Sequence, residues 1–345
     1  MGLPTGKLPA DLLERLIRTY TSSIHGVAVG ASIGEDAAAI DLGEKYLLAK
    51  TDPITFVAED IGTYTIFVNS NDIATMGGTP RWFLATVLLP EKGTTPESVE
   101  SIFAQLSSAC AKIDTAFCGG HTEITAGIDR PIVIGTMLGE VEKNRMIATS
   151  GARPGDDILL TKEIAIEGTS ILAREKSGEI AERFGADFLD RCRILATVPG
   201  ISVLEEARIA VRNGRIHSMH DPTEGGLANA LHEVATAADV GLVVEKDRIR
   251  VLEECEVLCG HFGLDPLGFI ASGSLLIMVD PADSMEVIHS IRNAGIYIEN
   301  IGKIMPKEQG VKIRSRGEIE DLPRFARDEI AKILPGEGNA GTGRT

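Results

Sequence analysis

Aromatic and basic residues are scarce in this chain. Its 345 residues include 10 Phe, 4 Tyr and 1 Trp, and 34 Lys and Arg against 50 Asp and Glu give a net charge of −16. An acidic surface repels phosphate backbones, and so few rings cannot build an extended base-stacking surface. The composition therefore excludes general nucleic-acid binding.

The chain also lacks long apolar runs. No run approaches the 18 or so residues of a membrane-spanning helix, and the N-terminus lacks the basic and apolar regions of a signal peptide. The 5 cysteines are an odd and sparse set, typical of reduced thiols. Cys255 and Cys259 lie one helical turn apart, which leaves metal binding open, but no second ligand pair has suitable spacing, so inert thiols are favoured. We predict a cytoplasmic protein with no membrane partner.

The common phosphate-binding signatures are missing or out of place. No Walker A sequence occurs, and the only G-x-G-x-x-G pattern begins at Gly336 in the glycine-rich segment 336–345. No strand precedes this pattern and no helix follows it, so it does not indicate a dinucleotide site. We predict that 336–345 is a flexible tail.

Helical and strand-like segments alternate along the rest of the chain. Gly, Pro and Asp cluster at 148–162, which is typical of a domain boundary. The length also favours two domains. We therefore predict an α/β or α+β protein with an N-terminal domain at 1–150, a C-terminal domain at 151–335 and the tail at 336–345.

Three acidic residues of the first half stand at the ends of predicted elements. Asp36 precedes a strand, Asp52 follows the apolar strand 47–50, and Asp72 lies in a helical stretch at 60–76. A single aspartate in such a place is usually a cap or turn residue. Three of them beside small residues favour Mg²⁺, which takes oxygen ligands and shares them with phosphates.

Two glycine-rich segments carry further candidates. In 118–125 (Cys-Gly-Gly-His-Thr-Glu-Ile-Thr), two glycines permit close backbone approach, which favours a phosphate or metal loop over a plain turn. In 220–227 (His-Asp-Pro-Thr-Glu-Gly-Gly-Leu), Asp221 precedes a glycine-rich helix start. That start is typical of an anion site, although a plain capped helix is the alternative.

These segments, in this order, resemble the aminoimidazole ribonucleotide (AIR) synthase superfamily over about residues 7–335. The most specific pieces are Asn-Asp-Ile-Ala-Thr-Met-Gly at 71–77, Gly-Gly-His-Thr at 119–122 and Asp-Pro-Thr-Glu-Gly-Gly-Leu at 221–227. The last piece, and Gly-Lys-Leu-Pro at 6–9, are most similar to the hydrogenase maturation factor HypE, a member of this superfamily.

The resemblance implies a two-domain fold and an ATP site. The N-terminal domain would pair with its copy in a homodimer to form a β-barrel flanked by helices, and the C-terminal domain would be an α/β sandwich. ATP would bind near the dimer interface, with Mg²⁺ held by acidic side chains, which agrees with the absence of a P-loop.

The resemblance also assigns residues to roles. The implied metal ligands are Asp36, Asp52, Asp72 and Asp221. The implied catalytic residues are Asp72, His121 and Asp221. The implied nucleotide-binding residues are Gly34, Asp36, Asn71, Gly119, Gly120, Thr122, Thr223, Gly225 and Gly226.

Three departures from the HypE pattern concern the substrate. The chain ends Gly-Arg-Thr where HypE ends Pro-Arg-Ile-Cys, Ser272 stands where HypE has an acidic residue, and His121 replaces the acid usual between the glycine pair and Thr122. Neutral histidine is a poor Mg²⁺ ligand but a good proton-transfer group. We hypothesise an ATP- and Mg²⁺-dependent enzyme that activates an oxygen of a small molecule or carboxamide. The alternatives are a small-molecule kinase like thiamine-monophosphate kinase and a non-catalytic ATP-binding scaffold.

Overall fold

The computed structural model describes residues 7–22, 24–55 and 57–333. The predicted tail at 336–345 lies outside these residues. The described chain is a mixed α/β protein with two sheets, as predicted. No helix within the described ranges is long and apolar enough to cross a membrane.

The helices of the described residues are mostly short. The α-helices are α1 (Ala10–Tyr20), α2 (Ile61–Thr75), α3 (Pro96–Lys112), α4 (Ile166–Glu175), α5 (Ser177–Phe184), α6 (Ala186–Ile194), α7 (Leu204–Asn213), α8 (Gly226–Ala237), α9 (Glu253–Phe262) and α10 (Ser284–Asn293). Short 3₁₀ or π turns cover Lys143–Arg145, Thr149–Gly151, Ala196–Gly200, Lys246–Arg248, Pro266–Gly268, Lys307–Gln309 and Glu329–Lys332.

The first sheet has six strands in the order β1-β2-β3-β6-β4-β5. Its strands are β1 (Val27–Val29), β2 (Ala38–Asp41), β3 (Lys45–Ile54), β4 (Thr79–Pro90), β5 (Ala116–Thr125) and β6 (Ile132–Glu142). All neighbours are antiparallel except β4 and β5, which are joined through α3. In the single chain this sheet is open and not closed into a barrel.

The second sheet has seven strands in the order β13-β12-β9-β11-β7-β10-β8. Its strands are β7 (Asp157–Thr161), β8 (Ile216–His220), β9 (Gly241–Glu245), β10 (Leu276–Val279), β11 (Ile298–Met305), β12 (Val311–Ser315) and β13 (Glu318–Asp321). Only the β12–β9 pair is parallel.

The two faces of the first sheet differ in burial. Along β6 buried and half-buried residues alternate, and the buried set includes Val133 and Met137. Helices α2 and α3 pack on the buried side. The opposite side carries Trp82 and Leu84, which are 39% and 36% exposed. Strands that are apolar nearly throughout are typical of a sheet with both faces covered. Among the described residues of the single chain, helices cover only one face of this sheet.

Helix α2 joins the two halves of the molecule. It contacts β3, β4 and β6 on one side and α7 and β8 of the second half on the other. Ile61, Tyr64, Ile66 and Ile73 are fully buried, and each buried side chain of this size stabilises the fold by about 1.5–3 kcal/mol. One hydrophobic core includes residues of both halves. This helix therefore holds the two sheets together at their junction.

Candidate functional site

Three of the predicted acids meet at the junction of the two halves. Asp36 lies in the loop between β1 and β2, Asp72 lies in α2, and Asp221 directly follows β8. Each offers one carboxylate oxygen, and these oxygens all lie within 4.8 Å of one another. The three residues are buried, with exposures of 6%, 4% and 2%. We call Asp36, Asp72 and Asp221 the carboxylate group.

Hydrogen bonds to the backbone fix Asp72 in place. Its neighbour Asn71 donates from Nδ2 to the carbonyl oxygen of Ile201 at 2.8 Å and accepts at Oδ1 from the amide of Val203 at 2.9 Å. Both polar ends of Asn71 are thus engaged with the second half. Asn71 therefore acts as a positioning residue between the two halves, and its contact with nucleotide stays a prediction.

The loop that carries Asp36 is held from two sides. The carboxylate of Glu35 accepts hydrogen bonds from the amides of Thr149 and Ser150, each at 3.1 Å. A Cβ on Gly34 would lie 2.8 Å from the carbonyl oxygen of Glu233, at a φ of +85°. Gly34 is therefore required for close packing on α8, which explains this glycine without a ligand.

The electrostatics of the carboxylate group favour a bound cation. Asp36 Oδ2, Asp72 Oδ2 and both oxygens of Asp221 are buried and have no hydrogen-bond partner among the described residues. Burial, together with the neighbouring aspartates, raises the pKa of Asp72 well above its ordinary value and that of Asp221 to about 7. Buried carboxylates without partners are costly unless they are protonated or coordinate a metal. Their oxygen donors suit Mg²⁺.

Lys50, which we did not single out from the sequence, supplies positive charge beside this group. Its Nζ lies 3.4 Å from Asp72 Oδ1 and 3.3 Å from Asp52 Oδ2. Burial lowers the pKa of Lys50, but the attraction of Asp72 and Asp52 outweighs it and holds that pKa above its ordinary value. Asp52, a predicted metal ligand, lies outside the carboxylate group and is paired with Lys50 instead.

A chain of charged side chains leads from Asp36 toward the N-terminal segment. His220 Nδ1 lies 2.7 Å from Asp36 Oδ1, and His220 Nε2 lies 3.0 Å from Glu233 Oε2. Lys7 Nζ then lies 3.3 Å from both Glu233 Oε1 and Thr223 Oγ1. Burial lowers the pKa of His220, but Asp36 and Glu233 raise it by more, so that it lies well above its ordinary value. The two carboxylates thus favour the charged form of His220, which lies against Asp36 Oδ1. The sequence feature that could have identified His220 is its position directly before Asp221.

The predicted anion site at the start of α8 has a protein ligand. The amide of Gly225 donates to Asp328 Oδ2 at 2.6 Å. A Cβ on Gly226 would lie 2.5 Å from the carbonyl oxygen of Leu267. Gly226 thus permits tight packing against Leu267. Gly225 donates its amide to Asp328 of the C-terminal segment, whose carboxylate caps the start of the helix. The amide of Gly225 is thus engaged within the chain, and the binding of nucleotide by Thr223, Gly225 and Gly226 stays a prediction.

The segment 118–125 belongs to the edge strand β5, so the prediction of a loop there is wrong. A Cβ on Gly120 would lie 1.8 Å from the carbonyl oxygen of Ala85 on β4, which accounts for this glycine. Gly119, with a φ of +117°, would meet no atom within 4 Å. Thr122 pairs with Val87 in the β4–β5 register. Gly119, Gly120 and Thr122 pair with residues of β4 and not with the carboxylate group. Their binding of nucleotide stays a prediction.

His121 points away from the carboxylate group. In the sheet register it stands beside Thr86 and Ile134, whereas Lys50 stands beside Met137 on the helix-covered face. Because side chains alternate between faces, His121 lies on the open face. Its side chain is 66% exposed, and its Nε2 lies 3.1 Å from Glu123 Oε2. Within one chain the structure does not bring His121 to Asp72 or Asp221.

The fold and the site define a two-domain α/β protein with a buried acidic cluster between its halves. The sequence matches two domain models of one family, the AIR synthase related protein N-terminal domain over 34–141 and C-terminal domain over 153–314. The chain therefore belongs to the AIR synthase related family. This confirms the resemblance found in the sequence and the prediction of an enzyme of this type.

Two curated relatives and one solved structure illustrate the similarity. Carbamoyl dehydratase HypE of Cupriavidus necator is 28% identical over 344 residues, 96% of this chain and 91% of that protein. Thiamine-monophosphate kinase of Bacillus subtilis is 28% identical over 249 residues, 68% of this chain and 74% of that protein. The crystal structure of hydrogenase maturation protein HypE in complex with ATP has a TM-score of 0.70 at 24% identity and covers 90% of this chain and 94% of its own. This likeness confirms the predicted fold class.

Proposed function

We propose that this protein is an ATP- and Mg²⁺-dependent enzyme that transfers a phosphoryl group to an oxygen of a carboxamide or similar small molecule. The buried oxygens of Asp36, Asp72 and Asp221, which lack partners in the described chain, carry this proposal. The HypE structure in complex with ATP and the dehydratase name of the C. necator relative support it. Thr223, two residues after Asp221, stays a candidate for contact with phosphate.

The residues of the site would have different roles. Asp36, Asp72 and Asp221 would hold Mg²⁺, which supplies positive charge to phosphate oxygens when bound. Asn71 and Glu35 keep the carboxylates at their mutual distances before any ligand arrives. His220 orients Asp36. Catalysis by such a site depends mainly on positioning and on charge stabilisation rather than on covalent chemistry.

A homodimer is part of this proposal. The open face of the first sheet carries apolar, exposed or half-buried side chains, among them Trp82, Leu84, Ile132, Ile134 and Leu138. Apolar patches of this kind mark interaction surfaces. A second copy packed there would cover them and close the predicted β-barrel. His121 lies on the same face and would then stand at the interface, where its predicted catalytic role has a place.

The test of the proposed function is turnover of ATP by the Asp72→Asn variant. We expect Asp72→Asn to lower ADP formation by at least about 100-fold with the fold intact by circular dichroism, because a carboxylate of the metal site is lost. Asp129→Asn, which alters a side chain that is 74% exposed, is the matched control and should keep wild-type turnover. Unchanged turnover in Asp72→Asn contradicts the assigned role.

Product analysis separates the dehydratase type from the kinase type. Phosphorus NMR of reactions with carboxamides and with phosphate esters should show free phosphate and ADP if the phosphorylated oxygen leaves. A stable phosphorylated product would favour the kinase, which the similarity to the B. subtilis thiamine-monophosphate kinase supports. ATP binding with no turnover on any substrate would instead identify a non-catalytic scaffold.

A further inference from the structure

Lys50 stands between two acids that would otherwise share a cation. It lies on β3 with its side chain on the helix-covered face, and the side chain is only 20% exposed. Its ammonium is 3.3 Å from Asp52 and 3.4 Å from Asp72. Asn69 of α2 accepts a hydrogen bond at 2.9 Å from the amide of Asp52, so the strand and the helix hold these charges in fixed relation.

The two oxygens of Asp72 have different surroundings. Oδ1 contacts the ammonium of Lys50, whereas Oδ2 is buried with no hydrogen-bond partner in the described chain. Asp36 and Asp221 also present unpartnered buried oxygens, and they belong with Asp72 to the carboxylate group. Asp72 therefore borders two positions for positive charge. One is filled by Lys50, and the other is bordered by unpartnered carboxylate oxygens of the carboxylate group.

We propose that Lys50 takes the place of a second metal ion, so that the site binds a single divalent cation through the carboxylate group. This proposal rests on the proposed function and deepens it. An ammonium in contact with two carboxylates repels a divalent cation from the space between them. Lysine is also a compact point charge that binds phosphate well. Lys50 thus serves as a permanent cation beside the exchangeable one, and Asp52 is its partner rather than a metal ligand.

The opposite arrangement makes different predictions. If Asp52 and Asp72 bridged a second metal ion, Lys50 would have to leave its position when metal binds. Replacing Asp52 would then weaken metal binding, and replacing Lys50 would leave the number of bound ions unchanged. The number and affinity of bound ions therefore distinguish the two arrangements without any measurement of activity.

The test counts Mn²⁺, used in place of Mg²⁺, by electron paramagnetic resonance of the free ion during titration of the full chain. We expect one ion for the wild type. Lys50→Met should bind its first ion about tenfold more tightly and add a second, weaker site between Asp52 and Asp72. Lys45→Met is the matched control, because Lys45 lies on the same strand and contacts Glu140 and Glu142 at the surface. It should bind one ion with wild-type affinity.

Asp52→Asn keeps the proposal testable if Lys50→Met does not fold. Because Asp52 is paired with Lys50, we expect the affinity of Asp52→Asn for Mn²⁺ to stay within about threefold of the wild type. A loss of tenfold or more, two ions on the wild type, or one ion of unchanged affinity on folded Lys50→Met overturns the role of Lys50. A folded wild type that binds no Mn²⁺, with or without ATP, contradicts the proposed function itself.

Discussion

Replacing Glu167 by glutamine should make the protein more stable than the wild type as the pH rises. Glu167 lies in the first turn of α4, is 4% exposed, and has an Oε2 with no hydrogen-bond partner among the described residues. Burial raises its pKa to about 7, Asp328 and Glu224 add to the rise, and hydrogen bonding with Ser272 opposes it. The folded protein therefore holds a proton on Glu167 that the unfolded chain releases near its ordinary pKa of 4.5.

The magnitude follows from proton linkage. Between pH 4.5 and about 7 the native state binds more protons at Glu167 than the unfolded state does. The stabilising effect of that proton is complete below pH 4.5 and is lost as the pH rises to about 7. A difference of about 2.5 pKa units corresponds to about 3 kcal/mol. Glutamine stays neutral throughout, so this loss disappears in Glu167→Gln.

The assay is urea unfolding of both proteins at pH values from 4.5 to 8. The free energy of unfolding of Glu167→Gln, relative to the wild type, should rise with pH by up to about 3 kcal/mol and level off above pH 7. Glu175→Gln removes an exposed carboxylate at the other end of the same helix and should differ from the wild type by less than about 0.5 kcal/mol at every pH. A difference between Glu167→Gln and wild type that is flat or falls with pH would refute the reasoning.

Two further substitutions test the junction and the open face. Asn71→Ala leaves the Ile201 carbonyl and the Val203 amide without partners, and should lower the free energy of unfolding by about 2–4 kcal/mol in urea denaturation. Asn213→Ala, which removes one hydrogen bond within α7, should cost only about 1 kcal/mol, and equal losses would speak against the role of Asn71. Leu84→Glu should convert the proposed homodimer into a monomer, as measured by light scattering, because it places a charge on the open face. Leu42→Glu, at a leucine that is 64% exposed, should stay dimeric, and a dimeric Leu84→Glu would show that the partner binds elsewhere.

The acids of the site were predictable because they stand at the ends of elements. Asp36 and Asp72 were identified from their positions in sequence, and Asp221 as a metal ligand through the family resemblance, and the fold brings the three together. The same positional reasoning included Asp52, which the fold places against Lys50. Lys50 was missed because it lies inside a strand, where the sequence does not show which face it occupies. Its contact with Asp72 depends on α2 lying across β3, which only the tertiary packing determines.

Glycine was the least reliable signal. Gly120 and Gly226 were interpreted as places where a ligand approaches the backbone, and the structure shows that another stretch of the chain approaches instead. The same residue type permits both kinds of contact, so a glycine pair alone does not distinguish them. Segment 118–125 forms a strand because it pairs in parallel with β4, a long-range interaction that overrides the weak strand preference of its glycines.

Helix α2 contributes to the cores on both sides of the junction, and this has a consequence for dissecting the protein. A fragment ending near residue 150 would leave α2 without α7 and β8, and the surface around Asn71 would face water. A fragment beginning there would have an uncovered hollow where the helix had been. We therefore expect the predicted boundary to separate two sheets but not two independently folding units. Gene fragments expressed separately should aggregate alone and regain structure only when they are mixed.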